Sequence, residues 1–247
     1  MSTLTSVIKR SLPAPVVDAV RAYRGRIRLK AFAGLPTKAV FTKIYEEGTW
    51  GASDDPGQRF FSGSGSRDDA VVRTYVDAVA RFLRSLGRKP DVVDLGCGDF
   101  RVGSQLRALC ARYVACDIVE PLIAFNARKY EDLDVDFRTL DLTTDALPPG
   151  DVVFVRQVLQ HLSNAEIARA VRKIPAVYRY LVLTEHVPHD PFAPNRDKAS
   201  GPDNRLAIHS GIVLTSPPFD LEAAEASTLC EVEEWGGIIR TIAYRLK

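Results

Sequence analysis

Residues 91–99 read DVVDLGCGD, a short apolar run that breaks into a turn built from Gly96, Cys97 and Gly98. Such a run, ending in glycines, reads as the first strand of an open α/β sheet. That strand carries the backbone to the carboxyl edge where ligands bind, and glycine lets the main chain approach them closely. Asp94 and Asp99 flank the turn. The motif continues Gly96-x-Gly98-x-x-Arg101, so the third glycine of a dinucleotide fingerprint, the one that allows close helix–strand packing, is absent.

The surrounding periodicity supports that start. Ser66-x-x-Asp69 has the form of a capping box, and Val72, Tyr75, Val76, Val79, Phe82, Leu83 and Leu86 make a helical stripe stopped by Gly87. Strands are then predicted at 91–95, 112–117, 135–139, 150–155 and 179–186, alternating with helices at 101–111, 120–129 and 164–177. This alternation implies a parallel sheet with right-handed crossovers. Residues 187–226, rich in Pro, Asp and Asn, read as a long loop on the acceptor side, and TLCEVEEW and IIRTIAYRL, joined by Gly236 and Gly237, read as a hairpin. The expected fold class is α/β, Rossmann-like, mostly parallel with a C-terminal antiparallel hairpin and an N-terminal helical extension. The expected division is a basic helical extension with a Gly/Ser-rich lid loop over 1–66, then the main domain over 67–247.

Polar residues gather at the predicted carboxyl rim. Two carboxylates beside the glycine turn suit a cofactor bearing a cationic amino-acid group better than one bearing two phosphates, and S-adenosylmethionine has that character. Asp117, about 20 residues past the turn, is placed to accept from ribose hydroxyls, with Ile118 beside it. Asp141 and Leu142 suit an adenine amino group and ring. After the fourth strand come Arg156 and Gln157 as further cofactor candidates, then Gln160 and His161. His161 is the first choice for removing a proton from an acceptor hydroxyl, since its reference pKa lies near neutrality. Glu185 and His186 after the fifth strand are the competing bases. No acidic pair follows the fourth strand, so no metal is expected. Residues 216–219 read SPPF, resembling the tetrapeptide with which nucleic-acid amino-methyltransferases hold a base, but they lie beyond the fifth strand and read as a loop.

Composition adds four bounds. A chain of 247 residues with 46% hydrophobic side chains buries one substantial core, so one main domain is expected. Cys97, Cys110, Cys116 and Cys230 have no C-x-x-C spacing, which favours neither zinc nor a disulfide framework and suggests a reducing, cytoplasmic setting. The N-terminal residues lack a signal-type apolar core, and no stretch is long enough to span a bilayer. Residues 1–43 carry nine Lys or Arg against Asp18, leaving the remainder acidic although the whole is only +2. That arm, with a basic amphipathic helix predicted around 16–27, suits contact with an anionic membrane, a glycan carrier or nucleic acid.

These residues resemble class I S-adenosylmethionine-dependent methyltransferases: DVVDLGCGD is similar to their first motif, Asp117 to their ribose-binding acid and Asp141 to their adenine-side acid. More narrowly, Trp50 and Gly51, SGSGS at 62–66, DLGCGDF at 94–100, HLS at 161–163 and NRD at 195–197 resemble a bacterial group often associated with surface-glycan biosynthesis. Where that group tends to show Arg-Asp after the fourth strand, this chain has Arg156 and Gln157. The resemblance implies S-adenosylmethionine as cofactor, held by Trp50, Ser62, Gly63, Ser66, Asp94, Gly96, Cys97, Gly98, Asp99, Asp117, Ile118, Asp141, Leu142, Arg156 and Gln157. It implies methyl transfer to a hydroxyl of a small molecule, sugar or glycan intermediate. Two other functions stay open, RNA methylation using the basic arm and cofactor binding without catalysis, although nucleic acid is not the expected partner.

Overall fold

The computed structural model describes residues 31–52 and 57–246. Contacts divide the chain into two compact units, Met1–Pro36 and Thr37–Lys247. The helix expected around 16–27 lies outside the described residues; of the first unit, residues 31–34 form a turn. Every element below belongs to the second.

After helix α1 (Thr37–Glu46) and a short 3-10 turn (Ser64–Ser66) comes helix α2 (Asp69–Ser85). Strand β1 (Val92–Leu95), β2 (Tyr113–Asp117), helix α3 (Glu120–Lys129), β3 (Asp136–Thr139), β4 (Val152–Arg156), helix α4 (Asn164–Val177) and β5 (Tyr180–Val187) follow, then the hairpin β6 (Glu225–Glu234) and β7 (Gly237–Arg245). The seven strands form one sheet in the order β3-β2-β1-β4-β5-β7-β6. β1 to β5 pair in parallel; β7 runs antiparallel to both β5 and β6. The chain builds outward from β1 to β3, then returns to place β4 on the other side of β1. A crevice therefore opens at the carboxyl ends of β1 and β4, where open α/β sheets bind ligands.

The predicted stripe on α2 is the buried one: Val72, Tyr75, Val79 and Leu83 pack with Val92, Phe154 and Val182 of the sheet. Two local expectations are corrected. The cap of α2 is Asp68, whose carboxylate accepts from the N–H groups of Ala70 and Val71 at 2.9 and 3.0 Å, while Ser66 ends the preceding turn and faces Arg156. The helix expected at 101–111 is instead two 3-10 turns, Gly103–Gln105 and Arg107–Leu109. Phe100 takes a left-handed φ of +58° just before it, and its fully buried ring packs on Tyr113, Tyr130 and Phe137. A Cβ on Gly103 would lie 2.6 Å from that ring. Tight packing over one aromatic thus overrides helical propensity here. Among the described residues, no helix is long and apolar enough to cross a membrane.

Candidate active site

The glycines of the β1 turn are required by both backbone and space. Gly96 and Gly98 have φ of +82° and +55°; a Cβ on Gly96 would lie 2.3 Å from Val158, and one on Gly98 2.5 Å from the Ser62 hydroxyl. Ser62 is seated on the turn: its Oγ accepts from the N–H of Asp99 at 2.8 Å and lies 3.1 Å from the hydroxyl of Tyr45 on α1. Cys97 is half-buried, and burial pushes its thiol well above the ordinary range, so it stays a neutral thiol.

Three carboxylates surround this turn, and burial raises the pKa of each. Asp117 closes β2. Its two oxygens accept from the N–H of Gly98 and of Val119, both at 3.1 Å, and burial outweighs those bonds to push it up to about 6. Asp94 on β1 accepts from the Tyr113 hydroxyl at 2.9 Å and is pushed up to about 7 by burial. Asp99 is 2% exposed; its Oδ2 has no hydrogen-bond partner, the Arg67 guanidinium lying 3.9 Å away. Asn126, fully buried on α3, donates to the carbonyl of Gly98 at 2.7 Å and leaves its own Oδ1 unpartnered. A buried polar atom without a partner is costly. Two such oxygens beside one glycine turn fit a ligand that brings donors and positive charge. At the end of β3, Asp141 accepts from the N–H and hydroxyl of Thr143, both at 2.7 Å, and Leu142 is buried beside it. The half-buried Ile118 follows Asp117.

The SGSGS segment closes against the end of β4. Arg156 donates to Ser66 Oγ at 3.1 Å and to the carbonyl of Gly65, with its guanidinium 5.0 Å above the Tyr75 ring. A Cβ on Gly65 would lie 2.5 Å from the Gln157 amide. Gly63, at φ +88°, turns the chain into this contact. Arg156 and Gln157 thus meet residues 65 and 66 at the end of β4.

The three candidate bases meet around a residue to which sequence reasoning gave no role of its own. Gln160, 4% exposed, donates its N–H to Glu185 at 2.9 Å, accepts from the N–H of His186 at 3.0 Å, and presents its amide nitrogen to His161 Nε2 at 3.2 Å. With its oxygen committed to His186, its nitrogen is the donor, which places the His161 proton on Nδ1. Glu185 spends both oxygens on backbone, taking Leu159 N–H at 3.0 Å as well, and burial pushes it up to about 8. His186 is held between the Glu234 carbonyl at 2.8 Å and Asn204. His161 packs on Trp50 at 5.0 Å between centroids, and Trp50 in turn donates to the Pro202 carbonyl at 2.9 Å. Nδ1 of His161 has no hydrogen-bond partner, and burial followed by the nearby Lys198 cation pushes its pKa down to about 3. The HLS and NRD motifs adjoin each other here: Asn164, next after Ser163, donates its backbone N–H to the Asp197 carboxylate at 2.8 Å and its side-chain amide to the Asn195 carbonyl at 2.7 Å. Asn195 also donates to the carbonyls of Ser216 and Pro217, fixing SPPF as a structural turn.

Sequence reasoning missed Tyr45, Asn126 and the buried Arg205, which donates to the Leu162 carbonyl at 2.6 Å and whose charge acts on Glu185. Asn126 had a readable signal, a lone amide on the helix face of Leu122 and Ile123. Among the described residues, no group of three His, Cys, Asp or Glu is arranged to hold a metal.

Residues 92–180 match a family model described as a methyltransferase domain. No curated protein sequence matches the chain. Among solved structures, the N-methyltransferase NodS from Bradyrhizobium japonicum WM9, in complex with S-adenosyl-L-homocysteine, superposes with a TM-score of 0.61 at 15% identity, covering 82% of this chain and 98% of that one. Magnesium protoporphyrin IX methyltransferase from Synechocystis PCC 6803 with bound SAM gives 0.56 at 20% identity, covering 86% and 99%. The bifunctional kinase-methyltransferase WbdD gives 0.53 at 19% identity, covering 73% of this chain and 40% of that one. At such identities the likeness is one of fold, and the fold is the Rossmann-like one of methyltransferases.

Proposed function

We propose that the chain is an S-adenosylmethionine-dependent methyltransferase acting on a hydroxyl of a sugar or glycan intermediate. The observation that carries the cofactor is the pair of buried oxygens without a hydrogen bond, Asp99 Oδ2, 3.9 Å from the Arg67 guanidinium, and Asn126 Oδ1, beside the glycine turn and Asp117. That donor-hungry, acidic pocket suits an amino-acid ammonium and ribose hydroxyls and repels a pyrophosphate. The match of residues 92–180 to a methyltransferase domain supports the same reading. When bound, this cofactor supplies a methyl group already activated on a sulfonium, so the protein's task is positioning and proton handling.

In this reading Asp117 accepts from the ribose, Asp141 and Leu142 frame the adenine, and Arg156 holds residues 64–66 over the crevice. Trp50 and His161 line the acceptor side. A hydroxyl that displaces the Gln160 amide from His161 Nε2 can pass its proton there. Because that nitrogen is a weak base, its contribution falls at the lower end of general-base effects. The hydroxyl acceptor is supported by the meeting of the Trp50, SGSGS, HLS and NRD segments around one crevice. The basic residues 1–43 suit an anionic membrane or carrier that delivers such an acceptor.

Calorimetry with S-adenosylhomocysteine, S-adenosylmethionine and NAD tests the cofactor: the first two bind and NAD does not. Tight NAD binding with no response to the others refutes it. Turnover is expected to be unchanged by EDTA, and a loss that Mg²⁺ restores would assign Asp141, Glu185 or His186 to a metal.

A further inference from the structure

The β6–β7 hairpin closes at Trp235 and Gly236, both with positive φ, +42° and +76°. A two-residue hairpin loop with this backbone favours Asn-Gly, since a side chain as large as tryptophan is strained at positive φ. The indole is nonetheless 83% exposed, the most exposed large apolar side chain among the described residues. A bulky aromatic in a turn that disfavours it, gaining no burial, serves something outside the fold.

Its place says what. β7 pairs antiparallel with β5, with Val187 opposite Ile238, so the hairpin tip stands at the carboxyl end of β5. Glu234, next to Trp235, accepts from Ser64 of the covering loop at 3.2 Å, and its carbonyl meets His186. The tip is therefore tied to both the loop over the crevice and the β5 rim. The polar groups around it are of both kinds: Glu233 with His189 at 3.4 Å, and Arg240 bridging Glu231 and Asp190. Four carboxylates, Glu231, Glu233, Glu234 and Asp190, stand here against the Arg240 guanidinium and the His189 ring, so the surface is rich in acceptors with a few donors among them. Hydroxyl groups, each both donor and acceptor, match that mixture. An anionic group would meet the unpaired excess of carboxylates.

We propose that Trp235 is the docking platform for the acceptor, and that its ligand is a neutral polyhydroxylated ring whose apolar face lies on the indole. This deepens the sugar-acceptor reading above and rests on it. The test uses the full-length protein labelled with 5-fluorotryptophan, which has two fluorine signals because the chain holds two tryptophans; Trp235→Tyr assigns them. Neutral hexoses, 6-deoxyhexoses and N-acetylhexosamines, as mono- to trisaccharides, are titrated to about 100 mM, with choline and inorganic phosphate in parallel.

The expected result is a saturable shift of the Trp235 signal with at least one neutral saccharide. Saturation transfer to that saccharide is lost in Trp235→Ala and kept in part in Trp235→Tyr, while homocysteine-cofactor binding changes less than twofold. No shift with any saccharide overturns the proposal, as does a shift with choline or phosphate alone. Failure of wild-type protein to bind S-adenosylhomocysteine refutes the cofactor reading instead, a separate outcome that the fluorine titration does not share.

Discussion

The two halves of the rim are built in opposite ways. Around β1 and β2 the scaffold is backbone: a glycine turn, with Gly98 bonded to Asp117 and Asn126, and two oxygens left over. Around β4 and β5 the scaffold is side chain: Gln160, Glu185 and His186 satisfy one another and the 3-10 turn Leu159–His161. The first half leaves acceptor oxygens for a ligand, whereas in the second the oxygens of Glu185 and Gln160 are spent on backbone N–H groups and His161 Nδ1 is among the atoms left over. A polar residue at a strand's carboxyl end therefore has two readings, and bonds already made do not alone separate them, since Asp117 and Glu185 each accept from two backbone N–H groups.

The largest expected effect tests the second half. Glu185→Ala leaves two buried N–H groups without an acceptor, which costs about 2 to 4 kcal/mol and lowers the melting temperature by about 5 to 12 °C at this chain length. Turnover falls with it, while affinity for S-adenosylhomocysteine stays within about threefold. If the melting temperature is unchanged and only turnover is lost, Glu185 is a reacting group and the contrast fails. Next comes His161→Ala, which should lower single-turnover rate about 10²-fold with cofactor affinity unchanged. Near-wild-type turnover would return the proton to another acceptor.

The fold was legible because it rests on period and punctuation. Apolar runs such as DVVDL and DVVFV, each followed by polar residues, announce parallel strands, and the two glycines before IIRTIAYRL announce the hairpin. Gly103 shows where this ends: no local pattern says that the chain must pass close over the Phe100 ring. The site was legible where one residue suffices, as with Asp117, whose spacing from the glycine turn is dictated by a single strand–turn–strand unit. It was not legible at Glu185. Glutamate after a strand looks like a base, and only the fold brings the N–H groups of Leu159 and Gln160 to it. Asn126 bonds to Gly98, Gln160 to His186 and Arg205 to Leu162, contacts 28, 26 and 43 residues apart that spacing arguments do not reach.

A smaller effect sharpens the first half. Asp117→Asn removes a charge-assisted acceptor while keeping the side chain's shape, and should weaken S-adenosylhomocysteine on the order of 30-fold. The melting temperature without ligand should fall by about 2 to 6 °C, because Asn accepts from only one of the two backbone N–H groups that Asp117 takes. Unchanged affinity would mean that Asp117 serves the Gly98 turn alone, as Glu185 serves the Leu159 turn.

The smallest effect separates the halves by pH. Asp117 is raised to about 6 and Glu185 to about 8, against ordinary carboxylate values near 4. A raised folded pKa means that the native state holds its proton more tightly than the unfolded chain. The stability this contributes is full below about pH 4 and is lost as pH rises, through about 6 for Asp117 and about 8 for Glu185. Ligand binding has the other sign at Asp117, because ribose hydroxyls need the ionised carboxylate, so affinity for S-adenosylhomocysteine should fall about tenfold from pH 7 to pH 5. Calorimetry at those two values reads the affinity, and melting from pH 4 to 9 reads the stability. Asp117→Asn should reduce the pH dependence of affinity, any remainder belonging to Asp94, raised to about 7 beside the same turn, and should leave the melting slope between pH 8 and 9. Glu185→Gln should flatten that slope and leave the affinity profile. A variant that flattens both would mean that the two halves titrate as one network and are not independently built.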